Sequence, residues 1–309
     1  MPSAPRTWRP DSADLVSWFD DRSGLDGTVA VITGGAGGLG EGIALDLAVN
    51  GVRPAVIDID GAAVDALRRV LTERGHDAIV HCGDARDPQA LEELFGTAAE
   101  RWGRVDILVN IVGGTFRADF VDSTSKGWDA LLRTNFHHVL HACSLAVPRM
   151  QASGRGGSII NITTIEAHRA APGFAVYAAA KAAVEQFSRT LAVEVAPDRI
   201  RVNNVAPDFV PTPNLAKFGH GETPPMATAA GARIAIPMGR VGEVSDVSNA
   251  VVFLASGLSS YITGTTLHPD GGTLASSGWF NWPENGWANY APASVLDRLN
   301  TAATDGSGV

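Results

Sequence analysis

The chain has 309 residues, 45% hydrophobic and 18% charged, enough for one large core or two modest ones. A net charge of -9 offers no basic field to a phosphate backbone or an anionic bilayer, which argues against nucleic acid and membrane as partners. No apolar run approaches the roughly 20 residues of a membrane span, the opening MPSAPRTWRPDSADLVSWFDD lacks a basic and apolar leader, and Cys82 and Cys143 make neither a disulfide framework nor a zinc site, so the expected setting is a reducing cytoplasm with no metal.

From Thr28 onward short β-branched runs alternate with helical patterns: TVAVIT, EGIALDLAVN, AVIDI, AAVDALRRVLTERG, AIVHC, ALEELFGTAAERW and VDILVN. The alternation predicts βαβ units with right-handed crossovers and helices on both faces of a parallel sheet. A long helix is then expected from about Ser125 to Gln151, the strand SIINIT after it, a second long helix from about Phe174 to Val195, and the strand RIRVNNV. A short helix and a last strand near Thr265 to His268 complete one doubly wound α/β domain of about seven parallel strands flanked by helices.

Three stretches break the rhythm. Residues 1–26 read as a partly ordered arm before a domain spanning 27–272. The Pro-rich segment 207–240 is long for an ordinary connection and reads as a functional loop. The extension 273–309 carries Trp279, Trp282 and Trp287, and aromatics that dense are expected to pack on something.

After the first strand the chain reads Thr33-Gly34-Gly35-Ala36-Gly37-Gly38-Leu39-Gly40, and a helix follows at once. Gly34 permits a tight exit from the strand, Gly38 clears the approach of a pyrophosphate, and Gly40 lets the helix sit close on the sheet. The helix N-terminus, beginning at Leu39, offers unpaired N–H groups and a partial positive charge to the phosphates. Asp58, 18 residues past Gly40, stands where an acid binds ribose hydroxyls and repels a 2′-phosphate. No Lys or Arg lies in the turn or directly after Asp58, which favours NAD(H) over NADP(H). Asp60 reads as an exposed acid leading into the next helix.

Tyr177 and Lys181 are four positions apart, on one helix face and one turn from each other. An ammonium beside a phenol favours the phenolate and suits the pair to moving protons. Together these features resemble the short-chain dehydrogenase/reductase family over about Gly27 to Gly272. Thr33 to Gly40 fits its TGxxxGxG turn, Tyr177 to Lys181 its YxxxK, Asn135 in RTNFHHV its helix asparagine, NVAPDFVPT its cofactor loop after the sixth strand, and YITG with PDGG its C-terminal signature.

The resemblance implies a Rossmann-type fold and a set of roles. Tyr177 would be the general acid in ketone reduction and the base in alcohol oxidation, Lys181 would hold the nicotinamide ribose and depress the tyrosine pKa, and Asn135 would hold a water in the proton relay. Thr164, thirteen residues before the tyrosine, stands where the family has a substrate-binding serine; its hydroxyl remains while its methyl narrows the pocket. Thr163 is the neighbouring alternative, with a strand-end residue facing away as its ordinary reading. On the cofactor side Asp84 and Ala85 would meet adenine, Val210 and Thr212 the carboxamide, and Asn110 and Gly113 would stand at the end of the fourth strand. Asn110-Ile111-Val112-Gly113 departs from the family's NNAG, and Asp208 replaces its glycine, where a positive φ would be costly.

The substrate is expected outside the carboxyl ends of the strands, near Thr115, Phe116, Glu166, His168, Phe174, Phe209, Phe218 and Met226, a mostly apolar set; His168 reads first as a solvated loop histidine. The expected function is NAD(H)-dependent interconversion of a hydrophobic secondary alcohol and its ketone. The rivals are a 3-oxoacyl thioester reductase and an NAD-binding regulatory protein without turnover. By resemblance the protein assembles as a homodimer or homotetramer.

Overall fold

A computed structural model of the chain describes residues 18–212, 227–283 and 285–297. The expected loop residues Phe218 and Met226 lie outside them. Seven strands form one parallel sheet: β1 Val29–Thr33, β2 Arg53–Asp58, β3 Ile79–Cys82, β4 Ile107–Asn110, β5 Gly157–Ile162, β6 Ile200–Val205 and β7 Thr266–Leu267, in the order β3-β2-β1-β4-β5-β6-β7. Alternate strand residues face opposite layers. Ala30, Ile32 and Val56 pack under α2 Leu39–Val49, α3 Gly61–Glu73 and the helix at Val244–Ala255, through Ile43, Leu47, Leu67 and Val251. Val31, Ile57, Leu108 and Ile159 pack under α4 Pro88–Trp102, α6 His138–Ser153 and α7 Ala175–Val195, through Leu94, Phe95, Ala142 and Val184. Covered on both faces, the strands show the continuous apolar runs read from the sequence.

Order reverses between β1 and β4, and this opens a crevice at their carboxyl ends. The first turns are fixed locally. Asp60 is the N-cap of α3, its carboxylate accepting the Ala62 and Ala63 N–H groups at 3.1 and 3.2 Å, and Asp87 caps α4 just before Pro88.

The helix expected over 125–151 is in two parts, α5 Ser125–Leu132 and α6, joined by a π-turn at Arg133–His137. The extra residue turns Asn135, fully buried, toward the crevice, and its amide Nδ2 donates to Leu131 O at 3.0 Å, the carbonyl its own backbone would bond in an unbroken α-helix. Such a turn leaves no mark on an apolar pattern.

The end of the expected arm belongs to the domain: α1 Trp18–Ser23 packs against Gly257–Ser259, and Leu25 is buried in the core. In the extension, β8 Phe280–Trp282 and β9 Gly286–Ala288 form an antiparallel hairpin. β8 packs on α8 Ala229–Ala235, the helix before α9 Val244–Ala255, while Trp279 and Trp287 stay about half exposed. Among the described residues no helix is long and apolar enough to cross a membrane.

Candidate active site

The glycine turn leaves β1 with Gly34 at φ 68° and Gly38 at φ 57°, conformations that side chains disfavour. A Cβ on Gly34 would lie 3.0 Å from Val112 Cγ2, and one on Gly38 3.3 Å from Thr212 Cβ, so the loops after β4 and β6 close directly on the turn. The need at Gly40 differs from expectation. Its Cβ would overlap the Gly34 carbonyl oxygen and lie 2.7 Å from Gly35 Cα, so the turn's own backbone, rather than the sheet, excludes a side chain there. Gly40→Ala is expected to cost about 1–3 kcal/mol and to weaken NADH binding at least about tenfold, measured by melting and by fluorescence titration.

The turn fits an anionic dinucleotide. Gly38 caps α2 without a side chain, so no side-chain oxygen occupies its first N–H groups, and nothing stands within 4 Å of where a Cβ on Gly37 would project. Asp58 points back at the turn: Oδ2 accepts the Ala36 N–H at 3.0 Å and Oδ1 the Asp60 N–H at 3.1 Å. A carboxylate accepts about four hydrogen bonds, so ribose hydroxyls can still bind.

Other expected cofactor contacts are occupied within the protein. Arg86 forks the Asp84 carboxylate at 2.8–3.0 Å and holds its pKa below the ordinary carboxylate value, while Ala85 and Val210 are buried in the core. The Asn110 side chain is turned away from the crevice. It donates to Asn161 Oδ1 at 2.8 Å, Asn161 donates to Ser188 Oγ at 2.8 Å, Ser188 lies 2.7 Å from Asn204 Oδ1, and Asn204 donates to Thr266 Oγ1 at 3.2 Å. This buried row follows the register of β4, β5, β6 and β7, Asn110 opposite Asn161, Asn161 opposite Asn204 and Asn204 opposite Thr266, and locks the strand ends that frame the crevice.

Asn135 and Lys181 flank the loop after β4. Asn135 Nδ2 donates to Gly114 O at 2.8 Å and Oδ1 accepts the Gly114 N–H at 3.2 Å. A Cβ on Gly113 would meet Lys181 Nζ at 3.1 Å and Asn135 Oδ1 at 3.2 Å. Lys181 is buried and donates to Ile162 O at 2.9 Å. The Thr164 hydroxyl stands near enough to the Tyr177 phenol to act on its ionisation, and its Oγ1 accepts the Glu166 N–H at 3.3 Å. The four residues read from the sequence as catalytic are therefore gathered at the carboxyl ends of β4 and β5.

Their electrostatics differ from expectation. Burial pushes the Tyr177 phenol up to about 12; the nearby Thr164 hydroxyl opposes this, and the Glu166 charge adds to it. Burial brings the Lys181 ammonium down to about 8. The lowering of the phenol by Lys181 is not found: the ammonium is turned to Ile162 O, and desolvation favours the neutral phenol.

Several site residues escaped the sequence reading. Thr163 does face away from Tyr177, donating to Glu185 Oε1 at 2.9 Å. His168 is only partly exposed and is held within the fold; its Nε2 lies 2.9 Å from Glu185 Oε2. Glu185 is 2% exposed, and its position one turn beyond Lys181 on the same helix face was the available signal. Arg169 pairs with Glu166 at 2.9 Å and lies 3.6 Å from Asp208. Asp208 avoids the cost foreseen for it, because among the described residues Arg199 is the one non-glycine with positive φ. Beside this cluster, a cavity of about 540 Å³ is walled by Arg117, Glu166, Arg169, Pro172 and Phe174; Phe209 lines a second one with Asp208 and His268. Phe116 is 42% exposed beside Gly127, and Thr115 is half-buried. Among the described residues no group of His, Cys, Asp or Glu is placed to hold a metal.

Residues 34–273 match the family described as Enoyl-(Acyl carrier protein) reductase. An uncharacterized oxidoreductase, MT0954, of Mycobacterium tuberculosis (strain CDC 1551 / Oshkosh) is 36% identical over 80% of this chain and 92% of its own. The 3-oxoacyl-[acyl-carrier-protein] reductase FabG of Thermotoga maritima is 34% identical over 81% of this chain and 99% of its own. The crystal structure of a short-chain type dehydrogenase/reductase from Mycobacterium marinum superposes with a TM-score of 0.75 at 27% identity, covering 84% of this chain and 98% of that one.

Proposed function

Since the chain belongs to the short-chain dehydrogenase/reductase family, and is thus an oxidoreductase, we propose that it is an NAD(H)-dependent enzyme interconverting a secondary alcohol and a ketone, with Tyr177 moving the proton. The gathering of Tyr177, Thr164, Lys181 and Asn135 at the carboxyl ends of β4 and β5, with Lys181 and Asn135 against Gly113 of the loop that closes on the glycine turn, carries this reading.

When bound, the dinucleotide supplies a hydride donor or acceptor at nicotinamide C4. The α2 N-terminus receives its phosphates, Asp58 the adenine-side ribose, and Thr212, against Gly38, the carboxamide end. Thr164 and Tyr177 then hydrogen-bond the substrate oxygen. A phenol kept protonated by burial is set to give its proton to a ketone oxygen as the carbonyl carbon is reduced, and in oxidation it takes the proton back. Lys181 would hold the ribose, and Asn135 fixes the Gly113–Gly114 loop that would border the nicotinamide, so the protein's contribution is position and a dry, oriented site.

Phe174, and Phe209 in the neighbouring cavity, favour a largely hydrophobic steroid-, terpenoid- or acyl-like substrate, and Arg117 and the Glu166–Arg169 pair beside Phe174 give it a polar end. The matches to FabG and to an enoyl reductase family favour 3-oxoacyl thioester reduction as the second reading; Asp58 counts against its NADPH form. Free Cys82 and Cys143 suit the cytoplasm, and assembly as a dimer or tetramer would use the helices that carry Asn135 and Tyr177.

The test follows NADH absorbance over steroid, terpene, acyl and polyol alcohols, with NADP⁺ alongside; absence of turnover across the panel defeats the reading. Asp58→Ala is expected to raise the KM for NAD⁺ at least about tenfold and to shift the kcat/KM ratio toward NADP⁺, because a like charge facing a phosphate is removed. An unchanged ratio would sink the role given to Asp58.

A further inference from the structure

Next to Tyr177 and Thr164 lies a second polar cluster, centred on a buried carboxylate. Tyr177, Lys181 and Glu185 recur every four residues on one face of α7, and Glu185 is the deepest of the three, 2% exposed. A buried carboxylate is stable only when its oxygens are bonded, and Glu185 draws its donors from one short segment. Thr163 Oγ1 donates to Oε1 at 2.9 Å, and His168 Nε2 stands 3.0 Å from Oε1 and 2.9 Å from Oε2. These two residues bracket Thr164 and the single helical turn Ile165–Ala167. The same segment is tied to the end of β6 through Thr163 N–H to Val205 O at 2.8 Å, and to the loop after it through Ile165 N–H to Pro207 O at 3.2 Å. The His168 ring also meets the His268 ring edge-on, 4.8 Å between centroids, at the end of β7. The segment that positions the Thr164 hydroxyl is thus pinned at both ends to the helix that positions the Tyr177 hydroxyl.

We propose that Glu185 and His168 are positioning residues: with Thr163 they clamp the 163–168 segment to α7 and so set the separation of Thr164 and Tyr177. The proposal rests on the alcohol–ketone chemistry assigned above. Neither residue touches the reacting atoms, so their loss acts on geometry, and a displacement of about 1 Å at a reacting centre costs on the order of a hundredfold in rate. Glu185→Ala removes both anchors. Glu185→Gln keeps an amide oxygen for the Thr163 and His168 donors. His168→Ala removes one anchor at a side chain that is 27% exposed, and its fold is expected to survive.

The test measures kcat, KM for NADH, melting temperature and hydrogen exchange of peptides covering 163–168, in the full-length protein. Glu185→Ala and His168→Ala are expected to lower kcat about 10- to 100-fold, with KM for NADH within about twofold and exchange in 163–168 at least about tenfold faster. Glu185→Gln is expected to restore most of both. A kcat unchanged in His168→Ala, or a lower melting temperature with no change in kcat or local exchange, overturns the proposal, because the cluster would then be structural alone. Should Glu185→Ala not fold, the Glu185→Gln and His168→Ala pair decides. If the wild-type protein turns over no alcohol or ketone, the enzymatic reading fails by itself; exchange in 163–168 still decides the clamp, and rates equal to wild type in His168→Ala refute it.

Discussion

Tyr177→Phe is expected to lower the rate of alcohol–ketone interconversion by about 10²–10⁴-fold while NADH still binds. Removing one oxygen leaves the ring, its burial and the packing of α7 in place, so the change falls on the proton. Without the phenol no group at the Thr164 position can supply or receive it, since a threonine hydroxyl does not ionise near neutral pH and its Oγ1 already accepts the Glu166 N–H. The measurement is single-turnover hydride transfer beside NADH titration. Turnover surviving within tenfold would move the acid–base role elsewhere, and loss of NADH binding would show that Tyr177 serves the dinucleotide first.

Lys181→Met is expected to abolish useful turnover and yet to stabilise the protein at neutral pH. The ammonium is buried, and burial brings its pKa from its ordinary value to about 8. Between about pH 8 and 10.4 the unfolded chain keeps a proton that the folded chain has released, so stability rises with pH across that window, and below it the cost of burying the charge is present in full. A displacement of that size corresponds to about 3 kcal/mol, reduced by loss of the Ile162 hydrogen bond. A methionine fills the same channel without the charge. Melting at pH 7 is expected to rise by a few degrees, and the gain in stability between pH 8 and 10 to disappear. Activity is expected to fall at least about a hundredfold, because the ribose loses its anchor. A variant that melts lower at pH 7 would show that the ammonium's contacts outweigh its desolvation.

The sites legible in the sequence are those whose partners are local. Asp60 as an exposed acid leading into a helix, the glycine turn and the Tyr177–Lys181 spacing each depend on residues within a turn or two, and all stand in the structure at the expected places. Where the partner comes from a distant segment, local spacing does not reveal it. Asn110 stands at the end of the fourth strand as expected, and its amide bonds Asn161, 51 residues away. His168 was read as solvated, yet it bonds Glu185, 17 residues on. Phenol acidity was inferred from a neighbouring charge, but desolvation, which no spacing reveals, proved larger.

Sequence alone thus determined the parallel sheet, the chain order of its elements and the placing of Tyr177 and Lys181 on one helix face, because apolar periodicity and i, i+4 spacing are properties of a single segment. Tertiary structure decided the π-turn that directs Asn135 inward, the row of asparagines joining four strand ends, and the neutral bias of Tyr177 and Lys181. Each of these depends on which atoms from distant segments exclude water or complete a hydrogen bond, and folding brings those atoms together.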